Sequence, residues 1–305
     1  MQTATSTAPV CAEIGLGTAT FGRESDAAIA HRLLDHGYAK GIRHLDTAAA
    51  YSNGAAETIL GDWLRTRPGL RAGLTVTTKI LPPYSAANIE ASVTASLGRL
   101  GLESIDVLYL HRWDPTADQP SVRAALDALV QRGLAGALGI SNCPLEKLQT
   151  TLGHQHAEGR KRFAWLQNNQ NFAVREAPEA FRRYCAGQGI NVVTFSPLGA
   201  GFLTGKHDAG VVPGSRFSVA PAHQDIYFNA PSRRRLEVLF TTAREFGLPQ
   251  ASLALAWALR RPNTRLVLIG GREPAQIDQA FAARDESLAK AVAKLETVSP
   301  DDPAI

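Results

Sequence analysis

Eight short apolar runs, most with a helical segment behind them, constrain this 305-residue chain more than any other feature. They fall at residues 14–17, 42–46, 74–79, 105–110, 137–140, 163–167, 191–195 and 266–269. Most are brief β-branched or apolar runs, the pattern of parallel strands buried on both faces. Between them, Ile89, Val93, Leu97 and Leu100 recur at helical spacing, with Ser85 as N-cap. Val122, Leu126, Leu129 and Val130 form a second stripe, which Gly133 ends. Ile59, Leu60, Trp63 and Leu64 form a third, which Pro68 closes. Leu33 and Leu34 sit on a helix that starts after Asp26 and stops before Gly41. Pro249 suits the first turn of another, ahead of Leu253, Ala256 and Leu259. Eight strand–helix units predict an α/β fold of the (β/α)8, or TIM-barrel, type. An open doubly wound sheet is the competitor, and it wants a glycine-rich turn after the first strand. The glycines here are Gly15, Gly17 and Gly22, so the GxGxxG spacing fails, and neither GxxxxGK[ST] nor HExxH occurs. The stretch 199–233 breaks the rhythm, and loops of that length are usually functional. The expected organisation is one barrel domain over 1–305. In it, 1–12 is an extension, 199–233 a long loop, and 284–305 a C-terminal helix and tail.

The rest of the composition narrows the class. Hydrophobic residues are 45% of the chain, enough for a large core without disulfide stapling. Lys and Arg number 32 against 28 Asp and Glu, a net charge of +4 without a basic tail, so nucleic acid is not indicated. Arg233, Arg234 and Arg235 form either a solvated helix face or an anion site. Three cysteines, Cys11, Cys143 and Cys185, give an odd count with no CxxC, which fits a reducing, cytoplasmic setting. The opening MQTATSTAPV lacks the basic and apolar regions of a secretory signal. The longest apolar run, 253–259, is far short of the roughly 18 residues a membrane span needs.

In such a barrel, side chains at the C-terminal strand ends face the active site. Asp46 closes strand two, Tyr51 follows in its loop, Lys79 closes strand three and His111 follows strand four. Singly, an Asp there is a turn residue or cap and a His a satisfied structural one. Together, on adjacent strands, they read as acid–base chemistry without a nucleophile. Asp46 would hold Lys79 charged, and Lys79 would favour the Tyr51 phenolate. Bringing a tyrosine from about 10 to about 7 needs roughly 4 kcal/mol of differential interaction. Tyr51 would then pass a proton to or from a substrate oxygen, which His111 would orient. A metal suits this set poorly, since it offers one good nitrogen ligand.

These residues sit in segments that resemble the aldo-keto reductase family over residues 10–283. The segments are HLDTAAAYSNGAAETILG, DVLYLHRWD, GALGISNCP, WLQNNQNFAVREAPE, TFSPLGAGFLTGK and LIGGREPAQ. SPLGAGFLTGK and the following GSRF resemble the branch holding aflatoxin and succinic semialdehyde reductases, with the general bacterial members as the alternative. The resemblance implies a nicotinamide cofactor lying across the barrel mouth, with Asp46, Tyr51, Lys79 and His111 as catalytic tetrad. It places Ser141, Asn142 and Gln167 on the nicotinamide carboxamide, and Ser196, Leu198 and Gly199 around the pyrophosphate. It puts Gln276 at the adenosine end and Arg272 near a 2′-phosphate. Gly17, Thr18, Phe195, Pro197, Gly201, Lys206 and Gly270 complete the implied cofactor surface.

The chain departs from the family in places. Phe195 stands where most members stack a Tyr on the nicotinamide. Ile269 replaces a Pro, and Ala280 a frequent Asn. Gly270 lacks the Lys that grips a 2′-phosphate in some branches. Arg272 keeps NADP as the expected cofactor, while Glu273 beside it leaves NAD open. For the substrate pocket, Ala19 replaces a frequent Trp and Phe21 can substitute for it. Trp113 either walls the pocket or packs against its loop, and Arg112 either meets a substrate anion or pairs with Asp114. Phe202, Arg216, Phe217, Tyr227 and Phe228 are expected to fold over cofactor and substrate. The implied function is NADPH-dependent reduction of an aldehyde or ketone by a monomer or weak homo-oligomer. The alternatives are an oxidative sugar or pyridoxal-type dehydrogenase, and a non-catalytic cofactor-binding regulatory subunit like those of potassium channels.

Overall fold

The structure, a computed structural model, describes residues 11–298; residues 1–10 and 299–305 of the expected extension and tail lie outside it. Eight strands close into a barrel, all pairs parallel and in chain order, and β1 returns to β8 through Leu16 and Ile269. They are β1 (Glu13–Gly17), β2 (His44–Asp46), β3 (Thr75–Ile80), β4 (Ile105–Leu110), β5 (Ala135–Ser141), β6 (Phe163–Asn169), β7 (Asn191–Phe195) and β8 (Leu266–Ile269). The helices are α1 (Ala27–Ala39), α2 (Ala55–Arg65), α3 (Ala86–Leu100), α4 (Pro120–Gln131), α5 (Leu145–Ala157) and α6 (Glu179–Gly187). Two short helices, α7 (Arg216–Val219) and α8 (Gln224–Tyr227), precede α9 (Ala230–Glu245) and α10 (Gln250–Leu259). After β8 come α11 (Pro274–Ala282) and α12 (Ala289–Val298). The TIM-barrel expectation therefore holds, with strand ends displaced by at most two residues.

Local signals explain the helix starts. Asp26 caps α1 by accepting from the Ile29 amide at 2.8 Å, and Ser85 caps α3 by accepting from Asn88 at 3.1 Å. Pro249 takes the N-cap of α10 rather than its first turn. The apolar run 253–259 is buried throughout because α10 packs against α9, α11 and α12. Among the described residues no helix is long and apolar enough to cross a membrane. The expected loop 199–233 is partly ordered. Its last residues begin α9, whose N-cap is Asn229, so Arg233 and Arg234 lie exposed on a helix. Arg235 instead turns inward to the carbonyl of Ala173 at 2.8 Å.

The barrel lumen positions the site. Alternate strand residues point inward, and contacts across the barrel prove it: the His44 ring on β2 lies 5.8 Å from that of Trp165 on β6. Midway up, Tyr109 fills the lumen. Gly139 on β5 faces it, and a β-carbon there would stand 2.4 Å from the Tyr109 ring. Val193, Leu266 and Leu268 complete the apolar filling, with Trp165 and Phe195 against them. The polar residues above this filling meet at the mouth.

Candidate active site

Asp46, Thr77, Lys79 and Gln167 converge in the lumen from β2, β3 and β6. Lys79, 1% exposed, donates to the Asp46 carboxylate in a very short contact, to the Thr47 carbonyl at 2.9 Å and to the Tyr51 hydroxyl at 3.3 Å. Its three protons are thereby matched by three acceptors. Asp46 also accepts from Thr77 Oγ1 and from Gln167 Nε2, each at 2.8 Å. Burial works against the Lys79 charge, but Asp46 and Tyr51 outweigh it and the ammonium is held above its ordinary range.

The Tyr51 phenol departs from expectation. Its pKa is raised, because burial among the neighbouring side chains outweighs the opposing pull of the Lys79 ammonium. The tetrad in this structure keeps Tyr51 protonated rather than poised near 7. His111 approaches it edge-on, ring centroids 5.8 Å apart. Burial, then Lys79, push His111 down to about 4, so it is a neutral imidazole at physiological pH. Its Nδ1 is buried and without a hydrogen-bond partner among the described residues.

The loop that presents Tyr51 is strained. Ser52 and Asn53 both adopt left-handed backbone, with φ of 50° and 52°. Ser52 Oγ fastens this turn to the Phe21 carbonyl at 2.7 Å, and Gly54 packs against the Arg99 side chain. Arg99 in turn bonds the fully buried Glu57 at 2.7 Å, which also accepts from Thr78 beside Lys79. Of the six non-glycine residues with positive φ among those described, five flank the strand ends of this mouth: Ser52, Asn53, Asn142, Ser196 and Ala200. Strain of this kind concentrates at functional sites.

The implied cofactor residues line the far side. Ser141 Oγ donates to the Gln167 carbonyl at 2.7 Å, and Asn142 Nδ2 to the His111 carbonyl at 2.9 Å. Because the Asp46 carboxylate can only accept, it fixes the Gln167 amide nitrogen toward itself and leaves Gln167 Oε1 unspent. Gly17 and Gly270 lie together at the rim with room for a β-carbon at each, and Thr18 Oγ1 is buried without a partner. Pro197 and Leu198 lead into Gly199 and Gly201, both at positive φ. At Gly201 a β-carbon would meet the Lys206 ammonium at 2.9 Å. Lys206 makes no ion pair among the described residues, and burial and then Arg272 lower its pKa. Among the described residues the Arg272 guanidinium reaches only the Gly214 carbonyl, at 3.4 Å. Unspent polar atoms, open backbone and two neighbouring unpaired cations fit a phosphate-bearing dinucleotide. Gln276 is partly committed elsewhere: its Oε1 accepts from the Arg272 and Glu273 amides, capping α11.

Three pocket expectations need correction. Phe21 is wholly buried in the core among Leu33, Leu60 and Trp63, so it is no pocket wall. Arg112 does not pair with Asp114, whose carboxylate instead caps Thr116. Phe202, Phe217 and Tyr227 are buried against one another and against Phe228 rather than spread over the mouth. Trp113 is half-buried against the apolar core that includes Leu110, Ala117, Cys143 and Leu148. Sequence reasoning missed the amides that follow Gln167. Asn168 brackets Cys143 from both sides of its peptide, and Asn171 holds the Ser196 carbonyl at 3.0 Å. The signal was the polar run itself at the end of an apolar strand.

His44, below the site, gives a measurable pH dependence. Burial, opposed by Asp46, lowers its pKa to about 4. Below about pH 6.5 the unfolded chain takes up a proton that the folded chain refuses, so stability is full above that pH and falls toward pH 4. The loss amounts to about 3 kcal/mol. The urea midpoint of the parent is expected to fall more steeply from pH 6.5 to 4.5 than that of His44→Phe; parallel slopes would refute this.

A sequence profile of the aldo/keto reductase family matches residues 13–296. Two plant proteins named probable voltage-gated potassium channel subunit beta, from Arabidopsis thaliana and Oryza sativa subsp. japonica, are similar as well. Each is 29% identical over 283 residues, covering 87% of this chain and 85% of its own length. A closed parallel barrel, a buried Asp–Lys–Tyr chain at its mouth and a match over nearly the whole sequence lead to one conclusion: the chain belongs to the aldo/keto reductase family.

Proposed function

We propose that this protein binds a nicotinamide dinucleotide across the barrel mouth and reduces an aldehyde or ketone there. The observation that carries the reading is the buried relay from Asp46 through Lys79 to Tyr51, with neutral His111 edge-on to the phenol. Lys79 donates to the Tyr51 oxygen, so the phenol proton is left to point at a substrate. When bound, the reduced cofactor supplies a hydride to the carbonyl carbon. Tyr51 gives its proton to the carbonyl oxygen as charge builds there, and Lys79 steadies the phenolate left behind. His111 hydrogen-bonds the same oxygen and orients it. Gln167 Oε1 and Asn142 would accept from the carboxamide, and Phe195 would offer an apolar face to the ring. Similarity of the SPLGAGFLTGK and GSRF segments to aldehyde reductases supports aldehydes as the carbonyl class.

Lys206 and Arg272 support NADPH over NADH, since a 2′-phosphate would relieve their mutual repulsion. The parent is expected to bind NADPH about tenfold more tightly than NADH, an exposed charge-assisted contact being screened by salt. Arg272→Ala or Lys206→Ala should remove most of that preference in a fluorescence-quenching titration. Tighter NADH binding by the parent would overturn the NADP assignment. The names of the two plant relatives favour a second reading, a cofactor-binding subunit whose role is to dock on a partner. Initial rates across a panel of carbonyls and alcohols with both cofactors separate the two. Turnover supports the reductase, and tight NADPH binding with negligible turnover supports the subunit.

A further inference from the structure

The mouth carries a third unpaired cation, on the opposite side of the ring from the strand before Arg272. It is Arg112, the residue directly after His111. In a ring of eight strands in chain order, β4 lies across the barrel from β8, so one phosphate cannot serve both places. We propose that Arg112 selects substrates carrying a carboxylate or phosphate close to the reacting carbonyl; this rests on the reductase reading above.

Three observations carry it. The Arg112 guanidinium is exposed and makes no hydrogen bond or ion pair among the described residues. Asp114, whose carboxylate feels the Arg112 charge, spends its hydrogen bonds on capping Thr116. The Arg112 backbone, by contrast, is fixed. Tyr84, 2% exposed, donates to the Arg112 carbonyl at 2.8 Å, and the Arg112 amide donates back to the Tyr84 oxygen at 3.4 Å. An exposed side chain on a clamped backbone beside His111 can meet an anion without distorting the site. The Arg112 charge already reaches this centre, since it adds to the depression of His111 basicity. Arginine offers the paired donors that suit carboxylate and phosphate oxygens.

The test compares three aldehydes that share one ring: 4-carboxybenzaldehyde, 4-formylphenyl phosphate and the neutral 4-formylbenzamide. At least one anionic aldehyde is expected to show kcat/KM about tenfold or more above the amide, mainly through KM. Which one leads tells carboxylate from phosphate. In Arg112→Gln the anion-to-amide ratio should collapse toward one, in Arg112→Lys it should survive in part, and in Arg112→Glu it should invert. Equal kcat/KM for all three in the parent, or a ratio unmoved by Arg112→Gln and Arg112→Glu, overturns the assignment while leaving the reductase reading intact. No turnover of any of the three overturns the Arg112 assignment, and the wider panel of carbonyls and alcohols then decides the reductase reading.

Discussion

Replacing Tyr51 by Phe is expected to lower carbonyl reduction by about 100-fold or more, with NADPH affinity nearly unchanged. The substitution removes one oxygen and leaves the ring, its edge-on contact with His111 and the turn at Ser52 and Asn53 in place. What disappears is the only phenol bonded to Lys79 among the described residues. Single-turnover rates isolate the chemical step, and quenching titration isolates binding. A variant within threefold of the parent rate would remove Tyr51 from the role. So would a loss explained by weaker cofactor binding alone. Because burial holds the Tyr51 pKa up, the parent's reduction rate should persist well above neutral pH before the phenol ionises.

The second large effect concerns Lys79→Met. The parent buries an ammonium and a carboxylate together, both almost fully removed from water. Removing the cation strands the Asp46 charge with only Thr77 and Gln167 as donors, and an unpaired buried charge costs about 3–5 kcal/mol. Rate should fall as well, because no cation then faces the phenolate that forms when Tyr51 gives up its proton. Chemical denaturation and a pH–rate profile read the two losses separately. An unchanged profile would show that Lys79 does not tune Tyr51, and an unchanged denaturation midpoint would show that Asp46 finds its partners elsewhere.

The strands were legible because strands buried on both faces are brief apolar runs that little else in a globular chain mimics. The acid–base residues were legible because Asp46, Lys79 and His111 break or end such runs where packing asks for nothing polar. The sign of the Tyr51 shift was not legible. It depends on whether burial or a neighbouring cation wins, and depth of burial is a property of the assembled barrel. Phe21 misled for a related reason: its place beside the first strand suggested the mouth, but the chain folds it back under the Tyr51 turn. The brace of Glu57, Thr78 and Arg99 went unread although Glu57 lies two residues before the apolar stripe of α2. A carboxylate so close to such a stripe needs a partner, and that partner comes from 42 residues away.

The order of the strands has a consequence for how such a protein is inherited and recombined. Asp46, Tyr51, Lys79 and His111 all belong to the first four strand–helix units, whereas Ser141, Gln167, Phe195, Lys206 and Arg272 belong to the last four. On the proposed reading, the proton-handling residues and most of the cofactor-reading ones thus lie in different halves of one ring, Gly17 and Thr18 of the first unit excepted, and a chimaera exchanging the second half is expected to change the coenzyme while keeping the relay. The seam is not free, because Gln167 from the second half reaches across the lumen to Asp46 in the first. A donor half without a glutamine there would deliver a new coenzyme preference and, at the same junction, loosen the carboxylate on which the relay is built.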